Sequence, residues 1–135
     1  MQLVVGAVLV DDLVLPSKVL AARRASPPAL TGRWEFPGGK VEHGETPQGA
    51  LRREIREELS VDVQLGTELV GPDDGCWPIS ERLTMRLWFA RVVGVPRPEA
   101  AHDEVRWLTR AELEDVPWLP ADVAVAQRLH DFLTG

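Results

Sequence analysis

The 135-residue chain has little of what three broad classes of protein require. Its one cysteine, Cys76, excludes an intrachain disulfide and a zinc site built from several cysteines. Its 15 basic residues are outnumbered by 21 acidic ones, and a protein that binds polymeric nucleic acid normally needs a basic face. No apolar run approaches the roughly 20 residues that span a bilayer, and the N-terminus lacks the basic segment of a signal peptide. We therefore expect a cytoplasmic protein that binds neither nucleic acid polymers nor membranes.

What the chain does contain indicates one folded domain over residues 1–135. Hydrophobic residues make up 44% and charged residues 27%, as in ordinary globular proteins. The β-branched run at 2–10 has almost no polar residues, which predicts a strand buried on both faces. Further strands are predicted at 61–70, 82–95 and 104–108. This mixture predicts an α+β fold, an α/β/α sandwich around a mixed sheet.

Three helices and one loop complete the prediction, and the shortest helix follows Thr109, with Glu112 three residues later in a capping-box pattern. Thr46 and Pro47 are typical of a helix start, and the helix formers that follow predict a helix that ends near Leu59. The last helix is predicted from about Pro120 to Phe132, with Val123, Ala126, Leu129 and either Leu119 or Phe132 facing inward. The prolines and glycine of residues 25–33 predict a loop.

Three glutamates on the first helix form the most informative cluster. Glu54, Glu57 and Glu58 stand at i, i+3 and i+4, so their carboxylates share one helix face and repel one another. A divalent cation would neutralise them, and ligands that are all oxygen suit Mg²⁺ or Mn²⁺. Arg53 is adjacent and can position a carboxylate by a bidentate contact. The alternative is a solvated acidic helix face with ordinary surface ion pairs.

The spacing of these residues resembles the Nudix box. Gly39, Glu45, Arg53 and the three glutamates follow the pattern G-x5-E-x7-R-E-I-x-E-E, with Ser60 where the family has a glycine that ends the helix. We expect Ser60 to take that glycine's positive φ at a small cost in stability. Two further stretches are similar to MutT-type nucleoside triphosphate pyrophosphohydrolases, RWEFPGGK at 33–40 and PWLPAD at 117–122. The resemblance implies the Nudix fold, with its mixed central sheet and its box of loop and helix.

The resemblance also implies the residues of a metal site. Its ligands would be the backbone carbonyl of Gly39 and the carboxylates of Glu54, Glu57 and Glu58, holding Mg²⁺ or Mn²⁺, with Arg53 beside them and the general base left open. Family members often carry one more carboxylate in a downstream loop, where this chain has Ala101. Glu104 is our preferred substitute, and Glu99, His102 and Asp103 are alternatives.

The nucleotide contacts that the resemblance implies are Arg24, Phe36, Lys40 and Asp122. The alternatives are ordinary structural roles: a charge at a strand end for Arg24, a core side chain for Phe36 and a helix-start acid for Asp122. An ionised Asp122 only accepts hydrogen bonds, so it should favour the exocyclic amine of cytosine.

These features together predict a Mg²⁺-dependent pyrophosphohydrolase that converts a nucleoside triphosphate to a monophosphate and pyrophosphate. The predicted substrates are CTP, dCTP or 8-oxo-dGTP, and the predicted role is nucleotide-pool sanitation by a monomer or homodimer. One alternative is a Nudix-fold regulatory module that binds a nucleotide without hydrolysis. Another is a hydrolase of a different nucleoside diphosphate derivative.

Overall fold

A computed structural model describes residues 1–135 and contains one mixed β-sheet with a helix on each face. The eight strands are β1 (Gln2–Val10), β2 (Lys18–Arg24), β3 (Trp34–Glu35), β4 (Gly38–Lys40), β5 (Asp62–Leu69), β6 (Trp77–Pro78), β7 (Leu83–Val93) and β8 (His102–Thr109). The helices are α1 (Pro47–Leu59) and α2 (Pro120–Leu129), and 3₁₀ turns cover Pro28–Leu30 and Arg110–Glu112. The predicted fold class is confirmed. Neither helix is long and apolar enough to cross a lipid bilayer.

Strand β1 is central to the sheet, whose main order is β3-β2-β1-β7-β5. It pairs with β7 in parallel, whereas the other strand pairs are antiparallel. Strand β1 pairs with β4 at Val4, Val5 and Gly6, and with β2 at Val10. Strand β8 extends the sheet beyond this path through its pairing with β2.

The side chains of β1 enter two separate cores, one on each face of the sheet. Val5, Ala7 and Leu9 pack with α1, whereas Val8 and Val10 pack with α2. Every residue from Val5 to Val10 that has a side chain is fully buried, which confirms the predicted burial on both faces. Helix α1 is therefore fixed to the sheet by its apolar side chains.

Helix α1 begins and ends at the residues that the sequence predicts. The Thr46 hydroxyl accepts a hydrogen bond from the Gly49 N–H at 3.0 Å, and Pro47 opens the helix, where its missing N–H costs nothing. Ser60 ends it with φ 56° and ψ 35°, the left-handed conformation expected at this position. Its hydroxyl donates to the Glu99 carboxylate, and its N–H donates to the Arg56 carbonyl at 3.1 Å.

The predicted orientation of α2 was wrong in one respect. Val123 is 42% exposed, and Val125 is fully buried in its place. The buried positions are 122, 125, 126 and 129, so Ala126 and Leu129 face inward as predicted, and the buried Asp122 is the one that hydrophobicity alone does not indicate. The helix also ends at Leu129 rather than at Phe132. The loop predicted at 25–33 contains one 3₁₀ turn, which Pro28 can begin because a first helical residue needs no N–H.

Candidate active site

Two consecutive glycines on β4 bring the acidic face of α1 against the sheet. A Cβ on Gly38 would lie 1.9 Å from the Val5 carbonyl oxygen, so only glycine fits this pairing with β1. A Cβ on Gly39 would lie 2.4–2.6 Å from the carboxylate atoms of Glu54. The absence of a side chain at Gly39 therefore lets a carboxylate of α1 approach the backbone that the sequence predicts as a metal ligand.

The three glutamates of α1 differ in burial and in charge. Glu58 is only 8% exposed, and its Oε2 accepts a hydrogen bond from the Gly38 N–H at 3.0 Å. Burial, followed by the nearby Glu35 and Glu54 carboxylates, raises the pKa of Glu58 to about 8. Burial also raises the pKa of Glu54, whereas the Glu57 side chain is 58% exposed. Carboxylates crowded in this way fit a hard divalent cation, which would supply the missing positive charge.

Arg53 connects the glycine loop to these carboxylates. Its Nε and Nη2 donate to the two carboxylate oxygens of Glu45 at 2.7 and 2.8 Å, and its Nη1 donates to Glu54 at 2.8 Å and to Glu57 at 3.3 Å. The hydrogen bond from Arg53 lowers the pKa of Glu45 to about 2. Arg53 Nη2 also donates to the Lys40 carbonyl at 3.1 Å. One guanidinium thus orders the loop and spaces two of the proposed ligands.

A second polar cluster lies where β2, β3 and β8 meet α1. Glu35 Oε2 accepts a hydrogen bond from Arg24 Nη1 at 3.1 Å and lies 2.6 Å from His102 Nε2. The His102 side chain is fully buried, and its Nδ1 has no partner. A buried polar atom left in this state costs about 1–3 kcal/mol. One ligand-type atom from each of Glu35, Glu58 and His102 lies within 4.8 Å of the others.

Sequence reasoning did not single out Glu35 and preferred Glu104 to His102, and a β-bulge separates the places of these last two residues. The register shifts between Arg23 and Arg24, so that Arg23 faces Glu104 whereas Arg24 faces His102. Glu104 is consequently directed to Arg23, 3.3 Å from its Nη1, and its side chain is 45% exposed. The structure brings His102 and not Glu104 to the carboxylates of α1. For Glu35, the available signal was a lone acid between the hydrophobic Trp34 and Phe36.

A cavity of about 240 Å³ adjoins both clusters. Its lining contains Arg24, Phe36 and Asp122, three of the four residues predicted to contact the nucleotide, together with Glu35 and Gly39. Phe36 is 4% exposed and stacks on Trp118 with ring centroids 4.6 Å apart, so it serves the core as well as the cavity wall.

One predicted nucleotide contact lies outside this cavity, and a second groove on the protein surface lacks acidic residues. Lys40, the fourth predicted contact, does not line the cavity, and its side chain is exposed. A larger groove of about 470 Å³ between β6 and α2 has no acidic lining residue, so it offers no ligands for a hard cation.

The charge of Asp122 differs from the sequence expectation. The residue is 5% exposed, and burial, followed by the nearby Glu35 carboxylate, raises its pKa to about 8, although the Phe36 N–H opposes this shift. The side chain is therefore mostly neutral at pH 7, and a carboxylic acid both donates and accepts hydrogen bonds. The prediction that Asp122 only accepts assumed an ionised carboxylate, whereas its burial favours the protonated form, which sequence alone does not reveal. A neutral acid also gives little stabilisation to a helix dipole.

Comparison with known proteins agrees with this geometry. The NUDIX domain family model matches residues 2–129. A Mycobacterium tuberculosis protein provisionally named 8-oxo-dGTP diphosphatase 2 is 41% identical over 118 residues, which cover 85% of this chain and 81% of that protein. The Escherichia coli CTP pyrophosphohydrolase is 30% identical over 125 residues, 92% of this chain and 87% of that enzyme.

Solved structures show the same relationship. The solution structure of the Escherichia coli ORF135 protein has a TM-score of 0.77 and 30% identity, and the match covers 94% of this chain and 86% of that one. The family model, the relatives and the packing of the α1 glutamates against Gly38 and Gly39 lead to one conclusion. The chain belongs to the NUDIX family and is a hydrolase of phosphoric anhydride bonds.

Proposed function

We propose that residues 1–135 form one Nudix domain that hydrolyses a nucleoside triphosphate, in the cytoplasm, to a monophosphate and pyrophosphate with the help of Mg²⁺ or Mn²⁺. The observation that carries this proposal is the cavity, which has Arg24, Phe36 and Asp122 on its wall and the Gly38–Gly39 backbone beside Glu54 and Glu58. The names of the two relatives point to the same reaction class.

The residues divide into a group for the phosphates and a group for the base. The Gly39 carbonyl, Glu54, Glu57 and Glu58 would hold the cation, which when bound neutralises phosphate charge and acidifies a water molecule. Arg53 keeps Glu54 and Glu57 apart by its contacts with both. A carboxylate of α1 accepts the proton of the attacking water.

For the base, a neutral Asp122 offers one donor and one acceptor. For a purine that faces Asp122 with its Hoogsteen edge, 8-oxo-guanine presents an N7–H donor beside the O6 acceptor, which matches that pair, whereas ordinary guanine presents two acceptors on the same edge. Cytosine presents an acceptor and an amine donor, which also matches. We therefore propose 8-oxo-dGTP and CTP or dCTP as substrates and dGTP as a poor one.

The pyrimidines distinguish the two charge states of Asp122. A neutral acid matches cytosine and also uracil, whose N3–H donates and whose O4 accepts, whereas an ionised carboxylate opposes one acceptor in each ring, N3 of cytosine or O4 of uracil. One bad contact of this kind costs about 1–3 kcal/mol. Between pH 7 and pH 9, kcat/KM should consequently fall for both CTP and UTP as Asp122 ionises, with no large preference for either.

The test is pyrophosphate release from CTP, UTP, dGTP and 8-oxo-dGTP at both pH values, with Asp122→Asn as the matched variant. Asparagine keeps a donor and an acceptor at every pH, so the fall of kcat/KM between pH 7 and pH 9 should be smaller in this variant than in the parent. Equal kcat/KM for dGTP and 8-oxo-dGTP would contradict the base assignment. Absence of pyrophosphate release from every nucleotide would contradict the proposed reaction and favour a binding module.

A further inference from the structure

The bulge between β2 and β8 directs a buried histidine to a residue of the cavity wall. The register shifts between Arg23 and Arg24, so that Asp103 has no partner in β2. His102 is therefore the residue opposite Arg24. Bulges beside active sites commonly redirect a side chain in this way. The His102 ring reaches Glu35, which lines the cavity, with its Nε2 2.6 Å from Glu35 Oε2.

The carboxylate of Glu35 connects this histidine to Arg24. Its Oε2 also accepts a hydrogen bond from Arg24 Nη1 at 3.1 Å. Arg24 Nε and Nη2 donate to the Ser26 carbonyl at 3.0 and 2.8 Å. A guanidinium has five N–H donors, so two of them remain for other acceptors. Because Arg24 lines the cavity, these two donors are available to an oxygen atom of a bound nucleotide.

A purely structural role does not explain why a histidine occupies position 102. Its side chain is fully buried, and its Nδ1 has no partner. An apolar side chain of similar size would fill the same space without leaving a polar atom unpaired. The polar contact of the ring is with Glu35, whose other partner is Arg24. The contact with Glu35 is thus what a histidine adds over an apolar side chain.

We propose that His102 is a positioning residue for nucleotide binding, which fixes the Glu35 carboxylate so that this carboxylate holds the Arg24 guanidinium at the cavity. Without the imidazole, the Glu35 side chain can turn about its own bonds. Arg24 then keeps only the Ser26 carbonyl as a fixed acceptor. This role rests on the proposed function because it needs a nucleotide in the cavity, but it requires neither a metal ion nor hydrolysis.

The test measures the binding of CMP and 8-oxo-dGMP by calorimetry in EDTA, since a monophosphate has no anhydride bond to cleave. His102→Leu should weaken binding about tenfold or more. His102→Gln keeps an N–H donor near the place of Nε2 and should weaken binding less than about threefold. His130→Leu is the matched control, because His130 Nε2 lies 2.7 Å from the Glu114 carboxylate near the surface. Unchanged affinity in a folded His102→Leu protein would refute the proposal.

The Nε–H of Arg24 supplies a second measurement that needs no nucleotide. Its exchange with water, followed by NMR, should be about tenfold faster in His102→Leu, because the guanidinium has lost one anchor. His102→Gln should restore the slower exchange. The Nε–H of Arg56 is the reference, because that side chain is 64% exposed and pairs with Asp62. If His102→Leu does not fold, Glu35→Ala takes its place. Unchanged exchange at Arg24 in the folded variant would overturn the positioning role.

Pyrophosphate release by the unmodified chain separates this proposal from the proposed function. Release from a triphosphate, with no effect of His102→Leu on either measurement, retains the hydrolase and removes the positioning role. Weaker monophosphate binding and faster exchange at Arg24 in the variant, without release from any triphosphate, retain the positioning role and remove the hydrolase. Failure of the parent to bind either monophosphate would overturn the positioning role, because Arg24 would then have no nucleotide to contact.

Discussion

The raised pKa of Asp122 makes the stability of the protein depend on pH in the alkaline range. An aspartate has a pKa near 3.8 in the unfolded chain and about 8 in this buried position. Between these values the native state binds the proton and the unfolded state does not, so the free energy of unfolding falls as pH rises. This direction is opposite to that of a salt-bridged aspartate, whose contribution is lost as pH falls.

The magnitude follows from the position of the native pKa. From pH 7 to pH 9 the native carboxyl passes from about nine-tenths protonated to about nine-tenths ionised, which removes about 1.4 kcal/mol of stability. Asp122→Asn removes the titrating group and keeps nearly the same volume. The variant should therefore lose about 1.4 kcal/mol less than the parent over the same interval.

The assay is urea unfolding at pH 7, 8 and 9 in metal-free buffer. Glu58, whose pKa is also raised to about 8, contributes equally to both proteins and cancels from the difference. Asp131→Asn is the matched control, because the Asp131 side chain is 67% exposed and should follow the parent. Parallel curves for the parent and Asp122→Asn would mean that Asp122 is ionised at pH 7. The donor role assigned to it in base recognition would then be untenable.

Three further predictions concern α1 and its ends. Excess EDTA should abolish hydrolysis, and added Mg²⁺ should restore it. Glu58→Gln should lower kcat about 10²–10⁴-fold. Full activity in EDTA or in the Glu58→Gln variant would contradict these predictions. Arg53→Lys should weaken the apparent Mg²⁺ affinity about 10–100-fold, because lysine cannot make the paired contact with Glu45 while it also reaches Glu54. The measurement is a titration of activity with Mg²⁺, and an unchanged midpoint would refute the positioning role of Arg53. Ser60→Gly should raise the free energy of unfolding by about 0.5 kcal/mol, because the relief of a left-handed φ of 56° outweighs the loss of an exposed hydroxyl contact. A thermal melt with a lower Tm would show that the contact with Glu99 outweighs the strain.

Local sequence signals accounted for α1 and its carboxylates. Thr46 and Ser60 act within a few residues of the helix ends that they define, so their roles can be inferred without knowledge of the rest of the fold. The spacing of Glu54, Glu57 and Glu58 places them on one face in any regular helix.

Nonlocal pairing decided the parts that the sequence did not predict. Glu35 and His102 are 67 residues apart in the sequence. They meet because β2 pairs both with β3, which carries Glu35, and with β8, which carries His102. The bulge between Arg23 and Arg24 places Glu104 opposite Arg23 and His102 opposite Arg24, and it was not predicted from the sequence. The neutral state of Asp122 depends on burial among other elements and on Glu35, which are properties of the assembled fold.

The stack of Phe36 on Trp118 gives this protein an intrinsic fluorescent reporter beside its cavity. Phe36 lines the cavity, and the indole of Trp118 lies against its ring and is held by a 2.7 Å hydrogen bond from its Nε1 to the Leu113 carbonyl. A base that enters the cavity and displaces Phe36 changes the surroundings of a rigidly held indole. Because the chain has four other tryptophans, the part of a rapid-mixing fluorescence signal that disappears in Trp118→Phe is the part that times the arrival of the base, separately from the cleavage of the phosphate chain.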